Sequence, residues 1–169
     1  VVAGTYPKVT VDAKGRATTV ANVAISALAL LPLICIAGDA TGQNPADATT
    51  YNYGLQSGFD PSSVAAPSAL PVVAPRTGTV IAAYGNVNVS GTLGSAQNAT
   101  FRVINVTAAT SEDISSAVAF TAVNNAYSNA AMTLAVTAGD RLRIEFLTPT
   151  WTTNPTACYF STTILIQPS

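Results

Sequence analysis

The chain of 169 residues contains no histidine and only two cysteines. Without histidine, the Ser-His-Asp arrangement of serine hydrolases cannot form in its usual version, and no G-x-S-x-G sequence is present to carry a nucleophilic serine. The cysteines occur singly, with no C-x-x-C pair, which excludes the common zinc-binding patterns. We therefore expect neither a metal nor another cofactor.

Charge is scarce as well. Charged residues make up 9% of the chain, against roughly 25% in an ordinary globular protein. The seven Lys and Arg residues are scattered, and a net charge of −1 provides no basic patch for nucleic acid or anionic lipid. Because 49% of the residues are hydrophobic, we expect a partner subunit or a membrane to cover part of the surface.

Residues 17–38 form a run without charge that is long enough to cross a bilayer. Asn22, Ser26 and Pro32 interrupt this run, and the remaining chain is typical of soluble β structure. An apolar segment packed along a subunit axis explains the same residues. We favour this interpretation over membrane insertion.

Cys35 and Cys158 lie far apart in the sequence, and each has apolar neighbours. This setting favours two reduced thiols that are buried as small hydrophobic side chains. A disulfide between them is the alternative, and the spacing is compatible with both states.

Residues 1–32 are predicted to form a stem and a neck. Val9 and Val11 alternate with polar residues, and Gly15 can adopt the positive φ of the turn before the chain returns, as in a β-hairpin. Asn22 can cap a short helix that ends at Pro32, with Ile25, Leu28 and Leu31 near one face. An isolated hairpin is marginally stable in water, so three copies around an axis would support it. Residue 1 is a valine within a predicted strand, which indicates a fragment of a longer protein.

Residues 33–169 are predicted to form one head domain. Short β-rich runs alternate with turn residues, which is typical of an all-β, antiparallel β-sandwich with jelly-roll connectivity. A proline-rich stretch at 59–76 is predicted as an irregular connection. The predicted strands are 33–37, 51–56, 79–90, 100–107, 117–123, 132–137, 142–148 and 158–167.

Two of these runs indicate what covers the strands. In DRLRIEF, Leu142, Ile144 and Phe146 alternate with charged residues, as in a half-buried antiparallel strand. In the last run, 164–166 are three consecutive apolar residues, so this strand should be covered on both faces. We expect a second subunit to cover Leu165 on the outer face.

The N-terminal segment AGTYPKVTVDAKGRATTV resembles a motif of bacteriophage tail fibres and receptor-binding proteins. The matching residues are Gly4, Thr5, Tyr6, Lys8, Val9, Thr10, Val11, Asp12, Lys14, Gly15 and Arg16. In that family the motif belongs to a homotrimeric shaft just before the terminal host-binding module. The resemblance covers about a tenth of the chain.

The head resembles the trimeric jelly rolls of tumour necrosis factor-like and viral knob domains, through LAVTAGDRLRIEF and the closing YFSTTILI. This second resemblance implies trimerisation and identifies no ligand. Together the two resemblances imply a homotrimer of identical chains. We expect its interface to include Val9, Val11, Ile25, Leu28, Leu31 and Leu165.

An enzymatic function would depend on few carboxylates. The acidic residues are Asp12, Asp39, Asp47, Asp60, Glu112, Asp113, Asp140 and Glu145. Glu112 and Asp113 are the only adjacent pair, and we predict them in a solvated polar turn rather than in a catalytic dyad. Asp39, Asp47 and Asp60 are predicted in loops, where Asx-turns explain them more simply than a calcium site. We therefore expect no catalytic residues.

Because catalysis and nucleic-acid binding are not expected, the function left to consider is recognition of a binding partner. If six strands from residue 79 onward run alternately up and down, the turns at 91–97, 124–129 and 148–155 gather at one end, and those at 108–114 and 138–140 at the other. The first end would present Tyr127, Trp151, Asn125 and Asn154, which combine aromatic faces with amide groups. These four residues are the predicted receptor-binding set. The alternative for Trp151 is that it packs its own loop against the protein.

We expect a fibre tip that acts outside the cell, as part of the virion, by binding a host cell-surface glycan or protein. Two alternatives are a purely structural cap that trimerises the fibre and a polysaccharide depolymerase. Three copies would add avidity to the first function.

Overall fold

A computed structural model describes residues 5–24, 33–54, 71–95 and 97–169. The described residues form twelve β-strands and no helix, and all strand pairs are antiparallel. The all-β prediction is confirmed. In these ranges no helix has the length and hydropathy needed to span a bilayer.

The N-terminal segment forms the predicted hairpin, with β1 at Thr5–Val11 and β2 at Ala17–Ala24. Asp12 closes the turn, because its carboxylate accepts hydrogen bonds from the backbone N–H groups of Lys14 and Arg16, both at 2.9 Å. It also forms an ion pair with the Arg16 guanidinium at 2.7 Å. Gly15 has φ = 75°, which glycine adopts without steric cost.

The predicted neck helix does not begin at Asn22, because Asn22 lies in β2 opposite Pro7. Its other residues, Ile25, Leu28, Leu31 and Pro32, lie outside the described residues. The side chains of Val9 and Val11 are not described either. The interface predicted for these residues therefore stays a prediction.

The other described residues form two five-stranded sheets with their connections, called sheet I and sheet II here. In sheet I the order is β3, β12, β6, with β9 and β10 both against the far edge of β6. Its strands are β3 (Leu33–Gln43), β6 (Gly78–Val89), β9 (Asn124–Asn129), β10 (Leu134–Val136) and β12 (Cys158–Pro168).

In sheet II, β4 and β5 pair with one edge of β11, and β7 and then β8 follow on the other edge. Its strands are β4 (Thr50–Tyr53), β5 (Val72–Val73), β7 (Asn98–Asn105), β8 (Thr110–Ala119) and β11 (Arg141–Leu147). No strand of either sheet pairs with the hairpin among the described residues.

The two sheets share one core, and aromatic rings from both sheets meet in its centre. Phe101 of sheet II stacks on Tyr127 of sheet I, with ring centroids 4.1 Å apart. Phe146 of sheet II lies 4.7 Å from Phe101 and 5.1 Å from Phe160 of sheet I. Such ring pairs contribute stability beyond their buried area.

A buried hydroxyl network crosses this core. The Tyr127 hydroxyl lies 2.8 Å from the Tyr53 hydroxyl and 2.6 Å from that of Thr162, and the latter two are 2.9 Å apart. Burial raises the pKa of Tyr127 to about 12, because a phenolate in the core would lose its hydration. The Tyr127 ring crosses β6 over Gly85, where any Cβ would clash with the ring.

Most predicted head strands are confirmed, with shifted ends. Two strands were missed: 124–129 was predicted as a turn and forms β9, and Val72–Val73, within the stretch predicted as an irregular connection at 59–76, forms β5. The strand predicted at 117–123 is also wrong in part, since β8 spans Thr110–Ala119 and 120–123 are irregular. In β12, Ile164 and Ile166 are fully buried while Leu165 stays partly exposed on the other face.

The two cysteines lie on neighbouring strands of sheet I. Cys35 pairs with Ile164, six residues along β12 from Cys158, which corresponds to about 20 Å. A disulfide requires Cα atoms closer than about 7 Å, so these two cysteines do not pair within the chain. Cys158 is a free, buried thiol, and burial raises its pKa to about 12.

Candidate functional site

Four connections between strands meet at one end of the two sheets. They comprise residues 44–49, 90–95, 120–123 and 148–157, and this region is called the loop end. Backbone hydrogen bonds tie them together: Ala48 N–H donates to the Pro149 carbonyl and Gly94 N–H to the Phe120 carbonyl, both at 2.9 Å. A hydrogen bond from Thr152 N–H to the Gln97 side chain joins the turns at 91–97 and 148–155, so their predicted gathering is confirmed, whereas 124–129 forms β9 rather than a third turn at this end.

The opposite end contains the connections at 74–77, 106–109 and 137–140. Ala74 N–H donates to the Asp140 carbonyl at 2.8 Å, and the Asp140 carboxylate accepts from Thr137 N–H at 2.8 Å and from the Asn105 amide. These hydrogen bonds, with that from Thr137 as the largest cause, lower the pKa of Asp140. The Asp140 carboxylate thus joins the connection at 137–140 to Asn105 at the end of β7.

Trp151 packs its own loop against the protein. It is 5% exposed, its ring lies 5.3 Å from that of Phe120, and a Cβ at Gly94 would lie 3.2 Å from it. Its backbone N–H donates to the Asp47 carboxylate at 3.1 Å. The alternative interpretation of Trp151 is the one that this geometry supports, because a buried ring has no face left for a receptor.

Tyr127 and Asn125 are also buried. Both lie in β9 rather than in a turn, and Tyr127 is part of the core network. The Asn125 side chain accepts from Ala122 N–H at 3.2 Å and donates to the Ala122 carbonyl at 2.7 Å, which fixes the preceding connection. The burial of Trp151, Tyr127 and Asn125 favours packing roles for them, and their predicted receptor-binding roles stay predictions.

Asn154 is the exposed member of the predicted set. Its amide donates to the Pro45 carbonyl at 3.1 Å, so it links two connections of the loop end. Nearby, Gln97 and Thr152 form a reciprocal pair: Thr152 N–H donates to the Gln97 side chain at 3.0 Å, and the Gln97 amide donates to the Thr152 hydroxyl at 2.8 Å. The loops are therefore held in one arrangement relative to one another.

Sequence reasoning missed two exposed aliphatic residues of the loop end, Leu93 and Val123, the latter 54% exposed. Each is an apolar residue between turn-forming residues, in SGTLGS and FTAVNN, and this is the signal that could have found them. The loop end contains one charged residue, Asp47, whose carboxylate is engaged by Trp151 N–H. Its surface thus combines aliphatic, hydroxyl and amide groups with little charge.

The adjacent carboxylates do not lie in a polar turn, as predicted, but in β8. Glu112 accepts a hydrogen bond from Thr133 N–H at 2.8 Å, and Asp113 lies 3.7 Å from the Arg102 guanidinium. Arg102 also lies 3.4 Å from Glu145, which is buried. Glu112 and Asp113 thus have separate partners, Thr133 just before β10 and Arg102 in β7, rather than a shared one.

The other carboxylates predicted in loops have different positions. Asp39 lies in β3 rather than in a loop, Asp47 lies in the loop end as predicted, and Asp60 lies outside the described residues. Within the described ranges no three Asp, Glu, Cys or His residues are grouped closely enough to hold a metal ion, and no pocket is formed.

Comparisons with known proteins add little to this geometry. No known protein family matches the sequence, and neither does any curated protein. The chain is similar to the solved structure "Crystal Structure of FLHE", at 10% sequence identity over 82% of this chain and 98% of that one. The TM-score of that alignment is 0.46, which does not establish a shared fold or function.

Proposed function

We propose that the chain is the terminal part of a bacteriophage tail fibre, a homotrimer whose head binds a host cell-surface receptor through the loop end. The observation that carries this proposal is the gathering of four nearly uncharged connections at one end of two sheets that share one core. No catalytic step is assigned to the head.

The order of the strands supports a β-sandwich with jelly-roll connectivity. Along the chain, β3 lies in sheet I, β4 and β5 in sheet II, β6 in sheet I, and β7 and β8 in sheet II. The chain then returns to sheet I with β9 and β10, to sheet II with β11 and to sheet I with β12. This alternation of an antiparallel chain between two packed sheets supports the proposed jelly-roll connectivity.

The hairpin supports the fibre and the trimer. Its segment carries the motif that resembles tail-fibre shafts, and it folds into a two-stranded sheet of its own. Two strands alone are marginal in water and need further strands or a packed face. Two further identical chains would provide both the additional strands and the packed face, as in the shaft of a tail fibre.

The loop end supports recognition because its groups suit a neutral ligand. Val123 and Leu93 offer aliphatic contacts, while Asn154 and Thr152 offer amide and hydroxyl groups that donate and accept hydrogen bonds. Neutral contacts of this kind fit the apolar faces and hydroxyls of sugars as well as uncharged protein loops. Three copies on one fibre would convert a weak contact into firm attachment.

The test is binding of the fluorescently labelled chain to a panel of bacterial strains. Val123→Asp places a charge on the loop end, while Val73→Asp is the matched control, since both valines are 54% exposed and Val73 lies in β5 near the opposite end. We expect Val123→Asp to weaken binding at least about tenfold, equivalent to about 1.4 kcal/mol, and Val73→Asp to leave it unchanged.

The same assay distinguishes the alternatives. Periodate treatment of the cells abolishes binding to a glycan, and protease treatment abolishes binding to a protein. A trimer that binds no strain contradicts the proposal and supports a structural cap. Release of reducing sugar from host polysaccharide would support a depolymerase.

A further inference from the structure

The charges of the two sheets are distributed unequally. Sheet II carries six charged residues in its strands, namely Arg102, Glu112, Asp113, Arg141, Arg143 and Glu145. The five strands of sheet I carry one, Asp39 in β3. In β6, β9, β10 and β12 there is none, although Tyr84 of β6 and Tyr159 of β12 are 45% and 37% exposed.

The outer side of sheet I is formed by alternate residues of its strands. In β12 the residues with even numbers are buried and those with odd numbers are exposed or partly exposed, which gives Ser161, Thr163 and Leu165 on the outer side. Tyr84 of β6 is paired with Thr163 and is 45% exposed, and Asn86 of β6 is paired with Ser161. We call these five residues together with Tyr159 the uncharged face.

We propose that the uncharged face is the surface through which identical copies of this chain contact one another. The proposal rests on the homotrimer proposed above and assigns its head interface. The central parts of protein interfaces are depleted in charged residues and enriched in tyrosine, and the uncharged face has both properties. Most homo-oligomers are closed and symmetric, so three such faces around one axis give a finite assembly.

A second copy is the occupant that this chemistry favours. Each hydroxyl and amide on the face, at Tyr84, Asn86, Tyr159, Ser161 and Thr163, can both donate and accept hydrogen bonds. The face is therefore complementary to itself, and it needs no partner of opposite charge. A face with charges of one sign could not pack on its own copy without leaving like charges together.

The test introduces one charge at the centre of the face. Ser161 is exposed, so the arginine of Ser161→Arg is solvated in a single chain, whereas between subunits it would be buried without a partner. The matched control is Ser116→Arg, at an exposed position of β8 in sheet II. Light scattering on a sizing column should give three times the 17.1 kDa chain mass for the unchanged protein and for Ser116→Arg, and the single-chain mass for Ser161→Arg.

Nitration of tyrosines provides a second measurement that does not depend on a variant. Tyr84 and Tyr159, located by peptide mass spectrometry, should be protected in the unchanged assembly and should react once the assembly is diluted to single chains. Reactive tyrosines in an intact trimer, or a trimer that survives Ser161→Arg, would overturn the face while leaving the trimer in place. A single-chain mass for the unchanged protein would remove both.

Discussion

Replacing Tyr127 by phenylalanine removes one oxygen atom from the centre of the core and leaves the ring stack with Phe101 unchanged in shape. The lost hydroxyl lies 2.8 Å from that of Tyr53, 2.6 Å from that of Thr162 and 3.2 Å from the Ser161 carbonyl. Tyr53 and Thr162 remain 2.9 Å apart, so each keeps one partner. We expect a loss of about 3 kcal/mol, because each of the three lost hydrogen bonds has a net contribution of roughly 1 kcal/mol.

The same change should alter the dependence of stability on pH. Burial raises the pKa of Tyr127 from 10.0 to about 12, so the folded chain holds this proton more tightly than the unfolded chain. This contribution is complete below pH 10 and is lost as the pH rises towards 12. Two pKa units correspond to about 3 kcal/mol, and Tyr127→Phe should no longer lose it.

Urea unfolding at one fixed chain concentration measures both effects, since association also shifts apparent stability. Ser116→Ala is the control, because its hydroxyl belongs to an exposed side chain of β8, outside the uncharged face, and its removal should change stability by less than about 0.5 kcal/mol. If Tyr127→Phe is as stable as the parent chain, or both lose stability equally in alkali, the hydroxyl network contributes nothing. Tyr127→Phe should still bind host cells, which separates its role in the core from recognition.

Three further changes test other parts of the fold. Gly85→Ala should destabilise the fold by about 1–3 kcal/mol through the clash with Tyr127, as measured by thermal unfolding. The double variant Gly85→Ala, Tyr127→Ala should lose less stability than the sum of the two single variants. The Asp140 carboxylate contributes stability that is present above pH 3.8 and lost as the pH falls through its lowered pKa, and Asp140→Asn should remove this contribution. In urea titrations the free energy of unfolding of Asp140→Asn should therefore differ less between pH 7 and acid than that of the parent chain. Trp151→Ala should lower the free energy of unfolding by about 3 kcal/mol or more and loosen the loop end. Hydrogen exchange should then be faster at Gly94 N–H, and unchanged exchange would contradict the packing role of Trp151.

Regular alternation of apolar and polar residues made much of the fold predictable. β11 was expected at 142–148 and lies at Arg141–Leu147, because Leu142, Ile144 and Phe146 must share one face. β9 was missed because its asparagines suggest a turn, although Asn125 and Tyr127 alternate with exposed neighbours. Pairing with β6 outweighs the low strand propensity of asparagine in this segment.

The position of the candidate site was predictable, while its residues were not. Because consecutive strands run in opposite directions, the end at which a turn lies depends only on how many times the chain has crossed the head before it. The turns at 91–97 and 148–155 were therefore assigned to the same end despite the error at β9. The burial of Trp151 depends on Phe120 and Gly94, which come from two other connections. Contacts between distant loops are not encoded in the local pattern around any one of them.

The ties within the loop end have a consequence for how such a surface can evolve. Asn154 reaches the Pro45 carbonyl and Asn44 accepts from Ala157 N–H, so in each tie one partner is a main-chain atom. A main-chain carbonyl is present whatever side chain occupies its position, and a main-chain N–H is absent only in proline. Substitutions at Pro45, or at Ala157 to residues other than proline, would keep these hydrogen bonds and the loop geometry. New binding specificities could therefore arise by successive single substitutions at such positions.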